Sequence, residues 1–321
     1  IPFIARYRKE ATGELSDEVL RNLYERLMYL RSIEEKKKDV IRLIDEQGLL
    51  TPQLEEAVNS AKTITELDDI YRPYRPKRRT RATIAKEKGL EPLAMLISEQ
   101  KSSFDPFLAA KDYINEEKQV SDEEDALAGA MDIIAETISD NADYRKRIRM
   151  MTYKSGVLCV KAAKEEDSVY RMYYDYSEPV ASVANHRLLA INRGEKEDFL
   201  SVKLECDEEE ILSYLKRELI INKSAPSAKY ISAAAEDSYK RLIAPSVENE
   251  TRNLLTDRAQ ESAIKIFSKN LTGLLLQPPI KGKTVLGLDP GYRTGCKAAV
   301  VDETGKVLDT NVIYCTLPHH D

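Results

Sequence analysis

Cysteine, histidine, glycine and proline are all scarce in this chain of 321 residues, and each scarcity closes off a class of function. The four cysteines, Cys159, Cys206, Cys296 and Cys315, lie far apart and include no C-x-x-C pair. A zinc site or a disulfide framework needs closer spacing, so the thiols read as reduced ones of a cytoplasmic protein. His186 stands alone and His319 and His320 are neighbours, so the H-E-x-x-H spacing of a metalloprotease is absent. With only 12 Gly and 13 Pro, low complexity and general disorder are not expected. Gly282-Lys283-Thr284 resembles only the tail of a P-loop, and no G-x-S-x-G elbow occurs. No apolar run approaches the roughly 20 residues of a membrane span. No basic stretch followed by an apolar one marks a signal peptide. The chain opens on Ile1 and stops at Asp321 in mid-pattern, so both ends read as cuts. No cofactor and no metal is expected.

What is present is apolar material and charge. Hydrophobic residues make up 42% and charged residues 32%, enough for real cores beneath solvated helices. The length corresponds to about two or three domains. A net charge of −6 excludes a wholly basic nucleic-acid binder, so any such surface has to be a local patch.

Helical grammar dominates. Residues 16–47 read as one long helix, with Ser16 as N-cap, Leu20, Leu23, Leu27 and Leu30 at helical spacing, and Gly48 as the stop. Thr51-Pro52 starts a short helix, Thr63 with Glu66 forms a capping box, Asp105-Pro106 starts another helix, and Ser121 with Glu124 forms a second box before 125–138. At 156–160 and 199–205 the pattern becomes strand-like with helical material between, which predicts a small α+β insertion at about 156–205. Helices resume from about 207 to 274. From Lys283 the pattern is β, with strands at 284–289, 296–302 and 306–315 and a hairpin link at 303–305. A domain boundary is expected near Pro278-Pro279, dividing a helical part, 1–280, from the first strands of an incomplete α/β domain, 281–321. The fold class is therefore mainly α, with a multi-helical body, the insertion and a β segment at the end.

Three constellations carry chemistry. The segment RPYRPKRRTR, 72–81, holds Arg72, Arg75, Lys77, Arg78, Arg79 and Arg81. Its prolines keep it extended, and Tyr71 and Tyr74 interleave rings among cations that can neutralise phosphates without sequence choice. The bland reading is a solvated loop matched by acidic helix faces such as 116–125. A second basic run, 144–154, reads as ordinary helix-surface decoration. The third is LGLDPGYRTGCKAAVVDETG, 286–305, where Asp289 ends a strand before a glycine turn. That is how a carboxylate is offered to divalent metals in phosphoryl chemistry, and equally how Asp caps a Pro-Gly turn. The tyrosines around 170–176 read as packing residues.

Four segments, PFIARYRKEATGEL (2–15), DDIYRPYRPKRRTRATIAKEKGLEPLA (68–94), NHRLLAINRGEKE (185–197) and VLGLDPGYRTGCKAAVVDETGK (285–306), resemble the Tex family in order and spacing. The resemblance implies an all-helical N-terminal region with helix-turn-helix-like elements, followed by a YqgF or RNase H-like domain. It further implies a helix-hairpin-helix unit and an OB-fold beyond residue 321. It also implies a role in transcription, in which the chain is a non-catalytic scaffold binding RNA and/or DNA and contacting RNA polymerase or other transcription machinery. The family's turn motif falls on Asp289, Pro290, Gly291, Arg293, Thr294 and Gly295. In active RNase H-like nucleases the first-strand Asp is a metal ligand, so a metal-dependent nuclease or resolvase using Asp289 is one alternative. A purely protein-binding helical adaptor is the other.

Overall fold

Polar residues that accept hydrogen bonds from the next turn set the starts of most helices in the N-terminal half. The structure, a computed structural model, describes residues 1–76, 78–164, 166–277, 281–291 and 295–314. Lys77, Pro278, Pro279, Arg293, Thr294, Cys315, His319 and His320 lie outside the described residues.

Two short helices, α1 (Pro2–Tyr7) and α2 (Lys9–Thr12), lead to Gly13 in the left-handed region. The long α3 (Asp17–Asp45) starts where Ser16 Oγ accepts from the Val19 amide at 3.3 Å, with Asp17 and Glu18 in its first turn. It closes into a turn at Gly48, whose φ of 68° is the conformation glycine tolerates. Thr51 caps α4 (Pro52–Ser60), and Thr63 Oγ1 accepts from the Glu66 amide at 3.2 Å to start α5 (Ile64–Tyr71). The Glu66 carboxylate returns to the Lys62 amide at 2.9 Å, one residue before the Thr63 amide that a standard box uses. Then follow α6 (Arg81–Glu87), α7 (Glu91–Ser98) and α8 (Pro106–Ala110), the last capped by Asp105. The next helix, α9 (Glu123–Asp140), is capped by Asp122, which accepts from the Asp125 amide at 2.8 Å, rather than by the expected Ser121. Asn141 caps α10 (Ala142–Ser155).

The expected insertion is a three-stranded antiparallel sheet in the order β2-β1-β3, made of β1 (Val157–Ala162), β2 (Asp175–Pro179) and, after α11 (Asn185–Lys196), β3 (Leu200–Glu205). Sequence pattern shows β1 and β3 but not β2, whose residues DYSEP carry no apolar alternation. As an edge strand it needs only one row of ladder bonds. Helices then resume with α12 (Glu208–Leu219) and α13 (Ala228–Asp237), a π-helical turn Ser238–Ile243, and α14 (Ala244–Leu275).

The chain divides into two compact units, Ile1–Ala259 and Gln260 onward, with the division inside α14. The first unit has three apolar cores. Ile33, Val40, Ile44, Val58 and Leu67 join α3, α4 and α5. Leu90, Leu93, Ile97, Ile148, Ile211, Leu215 and Ile243 form the central one. Leu158, Val160, Val180, Leu188, Ile191 and Leu200 fasten α11 to the sheet, with Tyr170 and Tyr173 buried among them as packing residues. The second unit carries an antiparallel meander, β4 (Val285–Asp289), β5 (Cys296–Val301) and β6 (Val307–Ile313). Its hairpin is held by Asp302, whose carboxylate accepts from the amides of Thr304 at 2.8 Å and Lys306 at 3.0 Å. Among the described residues no helix is long and apolar enough to cross a membrane.

Candidate nucleic-acid interface

Proline fixes the path of the basic segment. Pro73 sits in a short 3-10 turn, Arg72–Tyr74, that extends α5. Pro76 then keeps Arg75 extended, with ψ of 138°, because its ring disfavours a helical residue before it. Thr80 ends the crossing by accepting from the Thr83 amide at 3.1 Å, which starts α6 at Arg81.

The cations on this path are not equivalent. Arg72 is half-buried, 3.6 Å from Asp140. Burial pushes its guanidinium pKa down, the charge of Arg145 adds to that, and Asp140, Glu250 and Asp69 act against it. Arg75 is exposed but pairs with Asp68 and lies 5.5 Å above the ring of Tyr71. Lys36 shares that carboxylate at 2.9 Å. Arg79 reaches Glu87 at 3.0 Å with both side chains largely in water. An exposed pair of this kind contributes about 0–1 kcal/mol, so water or a phosphate competes with it easily. Arg78 and Arg81 are exposed, and neither forms an ion pair with a described residue.

Two sequence expectations about this segment need revision. Tyr71 and Tyr74 do not stand free as stacking rings, because both pack against the N-terminal core and Arg75 covers Tyr71. Among the described residues, the carboxylates that pair with the segment are Asp68, Glu87 and Asp140, and none of them belongs to the run 116–125.

The second basic run holds what sequence reasoning missed. Arg145, read as surface decoration, has no exposed side-chain area. Its Nε donates to Asp69 at 3.2 Å, and its Nη2 to Glu250 at 2.5 Å and to Ser246 Oγ at 2.8 Å. One turn on, Arg149 donates to the same two carboxylates, at 3.0 Å to Asp69 and 2.9 Å to Glu250. Two cations and two carboxylates thus join α5, α10 and α14 in a charge-balanced cluster. It is invisible in sequence because Asp69 and Glu250 are far from residue 145 along the chain. Lys146 and Arg147 of the same run stay exposed, the former 3.2 Å from Glu66.

Asp289 is exposed at the end of β4, in register with Lys297 of β5. Among the described residues no group of three or more His, Cys, Asp or Glu is placed to hold a metal ion. A single carboxylate can cap the turn that follows it, but it cannot by itself bridge two cations.

Comparison with known proteins places this geometry in a family. Residues 101–267 match a Tex central region-like model, residues 1–45 a Tex-like protein N-terminal domain, and residues 283–321 a Tex protein YqgF-like domain. The chain is 50% identical over 323 residues to "Uncharacterized protein YdcI" of Bacillus subtilis (strain 168), covering 99% of this chain and 44% of that protein. It is 42% identical over 337 residues to "Protein tex" of Bordetella pertussis, covering 100% of this chain and 42% of that protein. It is also 32% identical over 333 residues to human "S1 RNA-binding domain-containing protein 1", covering 98% of this chain and 33% of that protein. The chain therefore spans less than half the length of these relatives. With helical N-terminal and central regions ahead of a strand meander that falls within the YqgF-like match, the chain belongs to the Tex family.

Proposed function

We propose that this chain is the helical scaffold of a cytoplasmic transcription accessory factor, and that it contacts RNA or DNA through the basic crossing between α5 and α6. Residues 1–280, with their helix-turn-helix-like elements, supply the frame, and 281–321 open the YqgF-like domain. RNA polymerase or another part of the transcription machinery is the expected protein partner. A relative named "Transcriptional accessory protein Tex", from Neisseria gonorrhoeae, supports the transcriptional side of this reading. The observation that carries the nucleic-acid side is the exposure of Arg78, Arg79 and Arg81, two of them without an ion pair to a described residue. Guanidinium groups so placed exchange water and counterions for phosphate oxygens and give affinity that is indifferent to sequence. No catalytic step is assigned to the chain. The nuclease alternative still rests on Asp289 alone.

The direct check is fluorescence anisotropy with unrelated single-stranded and double-stranded RNA and DNA. The triple variant R78E/R79E/R81E is expected to lose affinity about uniformly across all of them. The adaptor reading draws support from the pairs Arg72–Asp140 and Arg75–Asp68, which neutralise the root of the segment. Unchanged affinity in the triple variant rules out this segment as the phosphate-contacting surface, and the absence of binding to any of the four nucleic acids by the parent chain favours the adaptor.

A further inference from the structure

The passage from β3 into α12 carries Glu205, Asp207, Glu208, Glu209 and Glu210, and none of them forms an ion pair with a described residue. Acids in a first helical turn favour the helix dipole, and Asp207 is the N-cap of α12, so the run alone says little. A second observation sets it apart. A cavity of about 670 Å³ opens beside the run, and the π-helical turn between α13 and α14 brings Tyr239 to its wall. Pro245, with no N–H to give the carbonyl four residues back, provides a reason for the helix to rewind there. Tyr239 is only 4% exposed, and its hydroxyl has no hydrogen-bond partner among the described residues. The hydroxyl itself still reaches the cavity surface, so it is free to pair with whatever enters the cleft.

The lining defines what that partner is. Glu205, Asp207, Glu208, Glu209 and Glu248 contribute carboxylates, while the one lysine on the wall, Lys240, is engaged by Glu236 at 2.9 Å. Cys206, also on the wall, is half-buried, and burial pushes its thiol up, so it stays protonated and is a poor metal ligand. Burial likewise pushes the Tyr239 phenol up to about 12, with Cys206 and Glu208 adding to the effect, so it stays neutral and its oxygen remains an acceptor. A cleft lined by one sign of charge concentrates the opposite ion. On its wall it also offers one neutral acceptor, the Tyr239 hydroxyl. A compact ammonium fits that arrangement, whereas a guanidinium would leave several of its five N–H groups unmet.

We propose that this cavity binds a primary alkylammonium group, presented either by a lysine side chain of a basic peptide or by a free polyamine, with Tyr239 accepting one N–H and Glu208 and Glu209 supplying the field. Calorimetric titration of the full 321-residue chain with a tetralysine peptide and, separately, with spermidine tests it. At least one probe is expected to bind saturably with one-to-one stoichiometry. The tighter of the two identifies the source of the ammonium group. E208Q/E209Q, on exposed side chains, is expected to weaken that binding about tenfold or more, and Tyr239→Phe about three- to tenfold, the range for a charged and a neutral hydrogen bond. E116Q/E117Q, which removes the same charge elsewhere on the surface, is expected to leave binding intact. The proposal is overturned if neither probe saturates, or if the two double variants lose binding equally. It is also overturned if Tyr239→Phe, with an unchanged unfolding midpoint, binds as the parent does. Should that variant unfold, the comparison of the two double variants decides.

Discussion

Arg145 and Arg149 stand one turn apart on α10 and face the same two carboxylates, Asp69 and Glu250. Arg145 and Asp69 are buried and Arg149 and Glu250 partly so, which is favourable only while they satisfy one another, so removing the buried Arg145 is far worse than the pair's net worth. Arg145→Met is therefore expected to lower stability by about 3–5 kcal/mol, read from the urea midpoint at constant slope. A loss near zero would show that the cluster is not closed in solution. The same cluster gives a pH signature. Burial pushes the Glu250 carboxyl up, but the hydrogen bond from Arg149 and the charges of Arg145 and Arg149 outweigh it and hold the group below the ordinary carboxylate range. Its stabilising contribution is then full above the unfolded value and is lost as pH falls through the folded one. Glu250→Gln is expected to flatten the acid limb of the stability profile, and an identical limb in parent and variant would exclude this cause. None of this was legible in the sequence. The run 144–154 shows where the cations are, but only the fold shows that Asp69 and Glu250 converge on two of them.

Elements were legible where a local hydrogen bond decides them. Ser16, Thr51, Thr63 and Asp105 all cap as their spacing predicts, since a cap involves residues only two or three apart. At Ser121 the choice lay among adjacent polar residues, and Asp122 takes the role. β2 was illegible because its apolar partners lie on β1 and its own residues are polar. The π turn was illegible because helical spacing on either side of it is continuous. Glycines at the element junctions carry a sharper prediction. A Cβ on Gly156, between α10 and β1, would lie 2.3 Å from the Thr152 carbonyl oxygen. On Gly194 of α11 it would lie 2.6 Å from Leu200 Cδ1. Backbone cannot step aside as a side chain can, so Gly156→Ala is expected to destabilise more than Gly194→Ala, the latter by about 1–3 kcal/mol. Thermal unfolding of the two variants ranks them, and the reverse order would contradict this account of the junction.

At the scale of the whole molecule, charge is partitioned rather than balanced everywhere. A net charge of −6 coexists with an exposed trio of arginines at the start of α6 and an acidic run at the start of α12 that forms no ion pair with a described residue. The position of the basic segment was plain from sequence. Which of its cations remain available was not, because Asp68 and Asp140 reach Arg75 and Arg72 only in the folded chain. The central claim is that Arg78, Arg79 and Arg81 displace counterions from a polyanion. The salt dependence of binding measures this most directly, as the slope of log affinity against log salt for one labelled oligonucleotide. Each lost phosphate contact removes about 0.7–0.9 from that slope, so R78E/R79E/R81E is expected to be shallower than the parent by about 2–3. Parallel lines for parent and variant would contradict the claim.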